Sequence, residues 1–321
     1  METTERLEAI DQFRGFAIMM MALANYLGGV NIVPWWLKHA QDVGLTLVDL
    51  VAPFFIFAIS LTYRPSAERR IAHNGWWRTA EHFSRRFLVL LGIGALISAV
   101  EVWVGASPKG IAWGVLQAIG VAGLVTLTVI RLSQGARLVV GLVLLGVYQA
   151  LLDRYWLQVV LKSPHGGIQG SLAWSAMLIL ATVLADLFHD LPRGRRIYPY
   201  AILLVLLAGI ALSALVPVSK NRVSASYVLI SLGASGLLFW GFHLLADRLG
   251  FIVPLLSAWG RNPLLLYFLH YLVIGVYVLP GIPAWHVDAP AWLIALQALG
   301  LLAVLSGVAW FLRSKDLAFS L

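Results

Sequence analysis

Ten long apolar runs, each ended by Gly, Pro or a cluster of charge, constrain this chain more than any other feature. They cover 11–31, 44–63, 87–105, 113–131, 137–153, 172–189, 198–217, 224–246, 258–279 and 291–312. A bilayer core about 30 Å thick needs about 20 apolar residues per helix. The expected fold is all-α: a polytopic membrane helical bundle of about ten spans, read as one domain over 1–321. Only 12% of the 321 residues are charged, against 60% hydrophobic. A soluble domain carries roughly twice that charge. The breakers between runs include Gly28-Gly29, Pro34, Pro65, Pro108, Gly166-Gly167, Pro192, Pro254 and Pro280. Pro53 lies inside the second run, where neighbouring groups must satisfy the carbonyl it frees.

Charge sets the expected orientation. With the N-terminus inside, seventeen of the 23 Lys and Arg residues fall on the inner side and six on the outer side. Basic residues favour the cytoplasmic face, so N-in and C-in follows, in a multi-pass protein of the cell membrane. The net charge of +8 therefore reads as topology, and no nucleic-acid partner is expected. The inner stretch 64–86 is the most basic and holds Trp76-Trp77. It suits an interfacial helix on anionic lipid, or attraction of a phosphorylated cytosolic ligand. The mixed charges before the first run (Glu2, Glu5, Arg6, Glu8) and the lack of a small-residue cleavage site imply a retained first helix. The chain has no cysteine, which removes disulfides, thiolate metal sites and a thiol nucleophile. His spacing gives no metal site. H-E-x-x-H, G-x-S-x-G and the Walker A pattern are absent, which disfavours a metalloprotease, a serine hydrolase and a P-loop NTPase.

The polar residues within the runs are the candidates for chemistry, because each is costly at membrane depth unless paired or functional. Asp11 and Arg14, one turn apart, read first as a local ion pair. Asn25 lies about 20 Å further along the same helix, where its amide must bond to another helix or line a wet cavity. His39 follows Trp35-Trp36 and Lys38 at the outer mouth of the link between the first two runs. By itself it reads as a solvated interfacial residue. With Asp49 one to two turns into the next helix it gains a partner able to orient an imidazole, although Asp49 equally suits a buried Lys or Arg. Glu101 lies near an outer helix end. Gln117, in G-V-L-Q-A-I-G, fits a structural hydrogen bond as well as a ligand contact. The outer loop at 217–227 is rich in donors, with Lys220, Asn221, Ser224 and Tyr227. Asn262 opens the ninth run, and His270 lies about 12 Å deeper.

Four segments then carry a resemblance: R-L-x-x-x-D-x-F-R-G at 6–15, N-Y-x-G-G through W-x-x-K-H-A-x-x-x-G-L-T-x-x-D-L-V-x-P-x-F at 25–55, G-V-L-Q-x-x-G at 114–120, and P-V-x-K-N-x-x-S-x-S-Y-V at 217–228. G-x-N-P-L-L-x-Y at 260–267 fits as well. In this order the set resembles the transmembrane acyltransferases related to heparan-alpha-glucosaminide N-acetyltransferase, in a short form without the animal enzyme's lumenal domain. The resemblance implies transfer of an acetyl group from cytosolic acetyl-CoA, a co-substrate with no metal, to an amine or hydroxyl acceptor across the membrane. That acceptor is a small molecule or glycan, expected to be a sugar. His39 matches the catalytic histidine, Asn25 its polar partner and Asp49 the D-L-V carboxylate. Gln117, Lys220, Asn221, Tyr227, Asn262 and His270 are the expected co-substrate-binding residues. The lipid bilayer is an expected partner, and a homodimer is an assembly considered. Relatives often read R-I-P-G-V-L-Q-R, where this chain has Ile111-Ala112-Trp113 and Ala118, so donor recognition is expected to differ. The alternative is a transporter of a small polar solute, its path lined by Asn25, Asp49, Asn262 and His270.

Overall fold

A computed structural model describes residues 7–104, 112–190 and 193–318. Glu2, Glu5, Arg6, Pro108, Ile111 and Pro192, used above as charges, breakers or motif flanks, lie outside these residues. All regular elements among the described residues are helical: α1 (Glu8–Leu27), α2 (Val51–Trp103), α3 (Val115–Val129), α4 (Gln134–Leu151), α5 (Leu157–Val160), α6 (Gly167–His189), α7 (Arg193–Leu212), α8 (Ala225–Phe242), α9 (Pro254–Arg261), α10 (Pro263–Val278) and α11 (Ala291–Ser314). A π turn at Leu152–Trp156 carries α4 into α5.

Among the described residues each apolar run is mostly helical, but helices and runs do not correspond one to one. The 53 residues of α2 hold two runs and the basic stretch between them. One straight helix of that length would measure about 80 Å, well over twice a bilayer core. It breaks at Gly75, whose φ of 75° and ψ of 171° lie outside the helical region, a conformation that costs glycine little. The chain doubles back there: Tyr63 packs on Phe83 and Phe87, with ring centroids 4.9 and 5.3 Å apart. The ninth run is also divided. α9 and α10 meet at 93° across Asn262, because Pro263 cannot supply the N–H that would continue α9. By length and composition six helices among the described residues suit a membrane crossing, or seven when the α9–α10 pair counts as one span. That falls short of ten for three physical reasons. α2 takes two runs, α1 holds Glu8, Asp11 and Arg14 in its first two turns, and the 15 residues of α3 extend only about 22 Å.

The described residues divide into two compact units. In the first, comprising 1–39, 46–55 and 238–321, α1 packs most closely on α9. Two glycines make that approach possible. A Cβ on Gly15 would lie 2.0 Å from the Leu256 carbonyl oxygen, and one on Gly260 would lie 1.9 Å from that of Asp11. Both glycines belong to the motifs F-R-G and G-R-N-P, so those motifs record a helix crossing. Phe13 is buried against Phe54, Phe239 and Phe242. The expected pairing of Asp11 with Arg14 is present at 3.5 Å.

The second unit, 40–45 and 56–237, is built around α6. Trp174, Met177, Leu178, Ile179 and Ala181 are all buried, which places apolar residues right round the helix, as a central helix requires. α3, α4 and α7 surround it. At its C-terminal end Asp186 accepts from both Arg64 and the fully buried Arg137. The other faces of the surrounding helices are exposed and apolar, including Leu138, Val139, Leu142 and Val143 on α4 and Leu203, Leu204 and Leu207 on α7. Faces of this kind are too apolar for water and suit lipid tails, as in an integral multi-pass membrane protein.

Candidate active site

The link between α1 and α2 is held along its length. In the first unit, the Asn31 N–H donates to Val287 O (2.8 Å) and its side chain to Asp288 (2.8 Å). In the second unit, the six residues 40–45 lie against the 217–224 loop. Gly44 donates to Val218 O at 2.8 Å, Asn221 donates to Gln41 O, and Asp42 bonds to Ser219 Oγ at 3.0 Å and to Arg222 Nε at 2.9 Å. A second Asp42–Arg222 contact makes the pair bidentate, the geometry in which Arg binds carboxylate most strongly. The Arg222 guanidinium holds the Asp42 carboxyl below its ordinary range against the opposing effect of burial, and Asp42 raises Arg222 in turn.

His39 and Thr46 stand at the two ends of this tethered segment. Thr46 caps the turn Leu47–Leu50 that leads into α2. Its N–H donates to Asp49 Oδ2 at 3.0 Å, and its hydroxyl lies 2.7 Å from Lys38 O and 3.1 Å from Asp49 Oδ2. The hydroxyl has one proton, so it serves one acceptor at a time. The other Asp49 oxygen, Oδ1, lies 2.8 Å from His39 Nδ1. Asp49 is fully buried, while the His39 side chain is 43% exposed. The carboxylate thus faces a backbone N–H, a hydroxyl and an imidazole N–H. It favours the proton on Nδ1, which leaves the lone pair on Nε2. That is the arrangement a general base or a nucleophilic imidazole requires.

A second pair lies in the same unit. Asn25 Nδ2 is 2.8 Å from His270 Nε2, and His270 Nδ1 bonds to the Tyr267 carbonyl one turn back along α10. His270 is buried and Asn25 exposed. α1, which carries Asn25, also touches the Leu47–Leu50 turn that carries Asp49. The expected catalytic residues are therefore held in two hydrogen-bonded pairs, His39 with Asp49 and Asn25 with His270.

The remaining candidates have other surroundings. Gln117 closes the first turn of α3: its Oε1 accepts from Gly114 N–H at 3.0 Å, and its Nε2 reaches Ala112 O at 3.4 Å. Asn262, at the α9–α10 break, donates to Leu317 O at 3.0 Å. Lys220 is buried, and Tyr227 is fully buried edge-on to Trp174 at 6.1 Å. Arg64 and Arg131, with Glu68 and Ile71, line a cleft of about 300 Å³, and Arg131 stacks over Trp76 at 5.2 Å. Among the described residues, no group of three or more metal-ligating side chains comes together.

Sequence reasoning overlooked Thr46 and the Asp42–Arg222 tie. The first had a signal, since T-x-x-D directly before an apolar run is a capping-box pattern. The second joins residues 180 apart, and nothing local marks it.

An all-helical membrane protein with a carboxylate-oriented histidine between its first two helices is the class these features define. The chain belongs to the family of the heparan-alpha-glucosaminide N-acetyltransferase catalytic region, which matches it over residues 6–272. It is 32% identical over 131 residues to heparan-alpha-glucosaminide N-acetyltransferase of Homo sapiens, and 30% identical over 134 residues to that of Mus musculus. Those alignments cover 36% and 37% of this chain and 18% of each relative.

Proposed function

We propose that this protein is a transmembrane acyltransferase. It takes an acetyl group from acetyl-CoA on the cytosolic side and delivers it to an amine or hydroxyl, on a sugar or another small molecule, on the far side. The observation that carries the reading is the His39–Asp49 pair, with its carboxylate fully buried and its imidazole accessible. Family membership supports the same chemistry. As a base, His39 Nε2 takes the acceptor's proton while the acceptor heteroatom attacks the thioester carbonyl. The C–S bond then breaks, and the CoA thiolate leaves carrying the proton that His39 returns. As an acyl carrier, Nε2 itself attacks the carbonyl and the C–S bond breaks to release the CoA thiolate; the acceptor heteroatom then attacks the acetyl group, the N–acyl bond breaks, and the acceptor's proton passes to the freed Nε2. Both routes need the Nδ1–H tautomer that Asp49 favours. An amide N–H of Asn25 is suited to the oxyanion of the tetrahedral intermediate. The donor's phosphates favour the basic cytosolic face, where Arg64 and Arg131 are candidates to meet them.

The same reading takes residues 1–321 as one catalytic domain of about ten helices in the cell membrane, with both termini inside, acting alone or as a homodimer. Transfer of labelled acetyl from acetyl-CoA by purified protein, compared with His39→Ala, is the test. Loss of transfer in the variant is expected, and wild-type transfer by it would overturn the role of His39. A second reading, transport of a small polar solute, draws on the 93° break between α9 and α10, since discontinuous helices are common at transport sites. It predicts solute flux into proteoliposomes without an acyl donor.

A further inference from the structure

His270 was expected among the co-substrate contacts, but its two ring nitrogens are both occupied by protein. Nδ1 faces a backbone carbonyl, Tyr267 O. A carbonyl only accepts, so Nδ1 carries the proton. Nε2 is then a lone pair, and Asn25 Nδ2 at 2.8 Å must donate to it. This chain of two bonds settles the Asn25 amide in one orientation: one N–H is taken by His270, and the second N–H remains for a ligand. Reversing the amide would set its oxygen against the Nε2 lone pair. His270 is 1% exposed, so water does not substitute for the imidazole. Its ring is also held by Tyr267 and Tyr271, with centroids 4.9 and 4.2 Å away. The exposed residue of the pair is Asn25, one turn from the end of α1 and hence from the link that carries His39.

We propose that His270 is a positioning residue: it touches no substrate, and by accepting one N–H of Asn25 it presents the other N–H to the acyl carbonyl. The role rests on the acyl-transfer reading above. It differs from a plain packing role in requiring an acceptor at the Nε2 position, and from a co-substrate-binding role in acting through Asn25.

The test is a set of variants assayed for acetyl transfer: Asn25→Ala, His270→Ala, His270→Gln and the double Asn25→Ala/His270→Ala. One oxyanion donor is commonly worth about 10²–10³ in kcat. His270→Ala is expected to lose about 10–100-fold in kcat, with the KM for acetyl-CoA changed less than about threefold. The double variant should be no slower than Asn25→Ala within a factor of about three, because both changes remove one interaction. His270→Gln, whose amide oxygen can accept, should recover part of the loss. Multiplicative losses in the double variant, or a loss confined to KM, would overturn the proposal. A second measurement needs no turnover: ¹⁵N NMR of labelled imidazoles should show His270 as the Nδ1–H tautomer, with Nε2 shifting in Asn25→Ala. An Nε2 signal that ignores Asn25→Ala also overturns it. A wild-type protein that transfers no acetyl refutes the acyl-transfer reading and this role together. A wild type that transfers, fails with His39→Ala, and shows multiplicative His270 and Asn25 effects refutes this role alone.

Discussion

Replacing Asp49 by Asn changes one atom in the centre of the site, and the surroundings determine where the damage falls. Asp49 Oδ1 faces the His39 ring nitrogen at 2.8 Å, and Oδ2 faces the Thr46 N–H at 3.0 Å. Both neighbours donate. An amide has one accepting oxygen, so one of the two bonds must fail. If the NH2 group turns to Thr46, it meets a buried backbone N–H that cannot rotate, and the fold loses about 1–3 kcal/mol for the unsatisfied donor. If it turns to His39, the ring moves its proton from Nδ1 to Nε2 and accepts instead. The His39 side chain is 43% exposed, so its new Nε2–H can bond to water, and this is the cheaper outcome. The variant therefore folds with the wrong tautomer: Nε2 is a donor and no longer a base. General-base contributions run to about 10²–10⁴, so Asp49→Asn should lower kcat by about 10³-fold, roughly 4 kcal/mol of transition-state stabilisation. Its melting temperature in detergent should change little. Asp49→Ala removes the cap as well and should cost about 1–2 kcal/mol of stability besides. Initial rates of labelled acetyl transfer, with thermal melts of the same samples, separate the two effects. An Asp49→Asn protein with more than a tenth of wild-type kcat would refute the tautomer argument.

Three further outcomes follow from the packing. Gly260→Ala puts a methyl within 1.9 Å of Asp11 O, and Gly15→Ala meets Leu256 O in the same way. Backbone must shift in each, so losses of at least about 1–3 kcal/mol are expected, read as a lower melting temperature; an unchanged melt would refute the close crossing of α1 and α9. Arg137 is fully buried and shares Asp186 with Arg64, so Arg137→Met should destabilise by about 3 kcal/mol, the low end for a broken buried pair because Arg64 still faces the carboxylate; a neutral variant would contradict it. Arg222 holds the Asp42 carboxyl below its ordinary 3.8, so the pair's contribution is complete above that pH and is lost as pH falls through the lowered folded value. Asp42 is about a third exposed, which limits the effect to about 1 kcal/mol or less. Asp42→Asn should lack this step in an acid melting series, and an identical acid profile would refute the linkage.

The helices were legible because membrane burial leaves the backbone few choices, and among the described residues each apolar run is mostly helical. Their joints were less so. A basic stretch between two apolar runs looks like a loop by composition. Yet residues 64–74 and 76–86 continue the helices of their flanking runs, and only Gly75 breaks them. The divided ninth run had a local sign in Asn262-Pro263, but the 93° angle depends on packing. Among the site residues, the His39–Asp49 contact spans ten positions and follows from a short link folding onto the next helix. Asn25 was seen to need a partner on another helix. That the partner is His270, 245 residues away, depends on how α10 leaves the break at Asn262, and no spacing rule reaches that far.

Segment 40–45 gives the tether a mechanical meaning. A catalytic imidazole on a free loop would sample many positions, whereas transfer chemistry needs it placed to within about half an ångström. His39 is already fixed at one side by Asp49. The residues that follow it are fixed by a backbone bond from Gly44 and by the Asp42–Arg222 pair. The chain between His39 and Thr46 thus has little freedom left to lose when substrate binds, which is the entropic part of orientation. The motif P-V-x-K-N-x-x-S at 217–224 then has a role in which none of its residues need touch substrate. Val218 O, Ser219, Asn221 and Arg222 each bond to segment 40–45 within the second unit. Arg222→Ala separates the two roles. As a tether, its loss should lower kcat by about tenfold with the KM for acetyl-CoA nearly unchanged. As a donor contact, its loss should raise that KM and leave kcat in place, and this result would refute the tether.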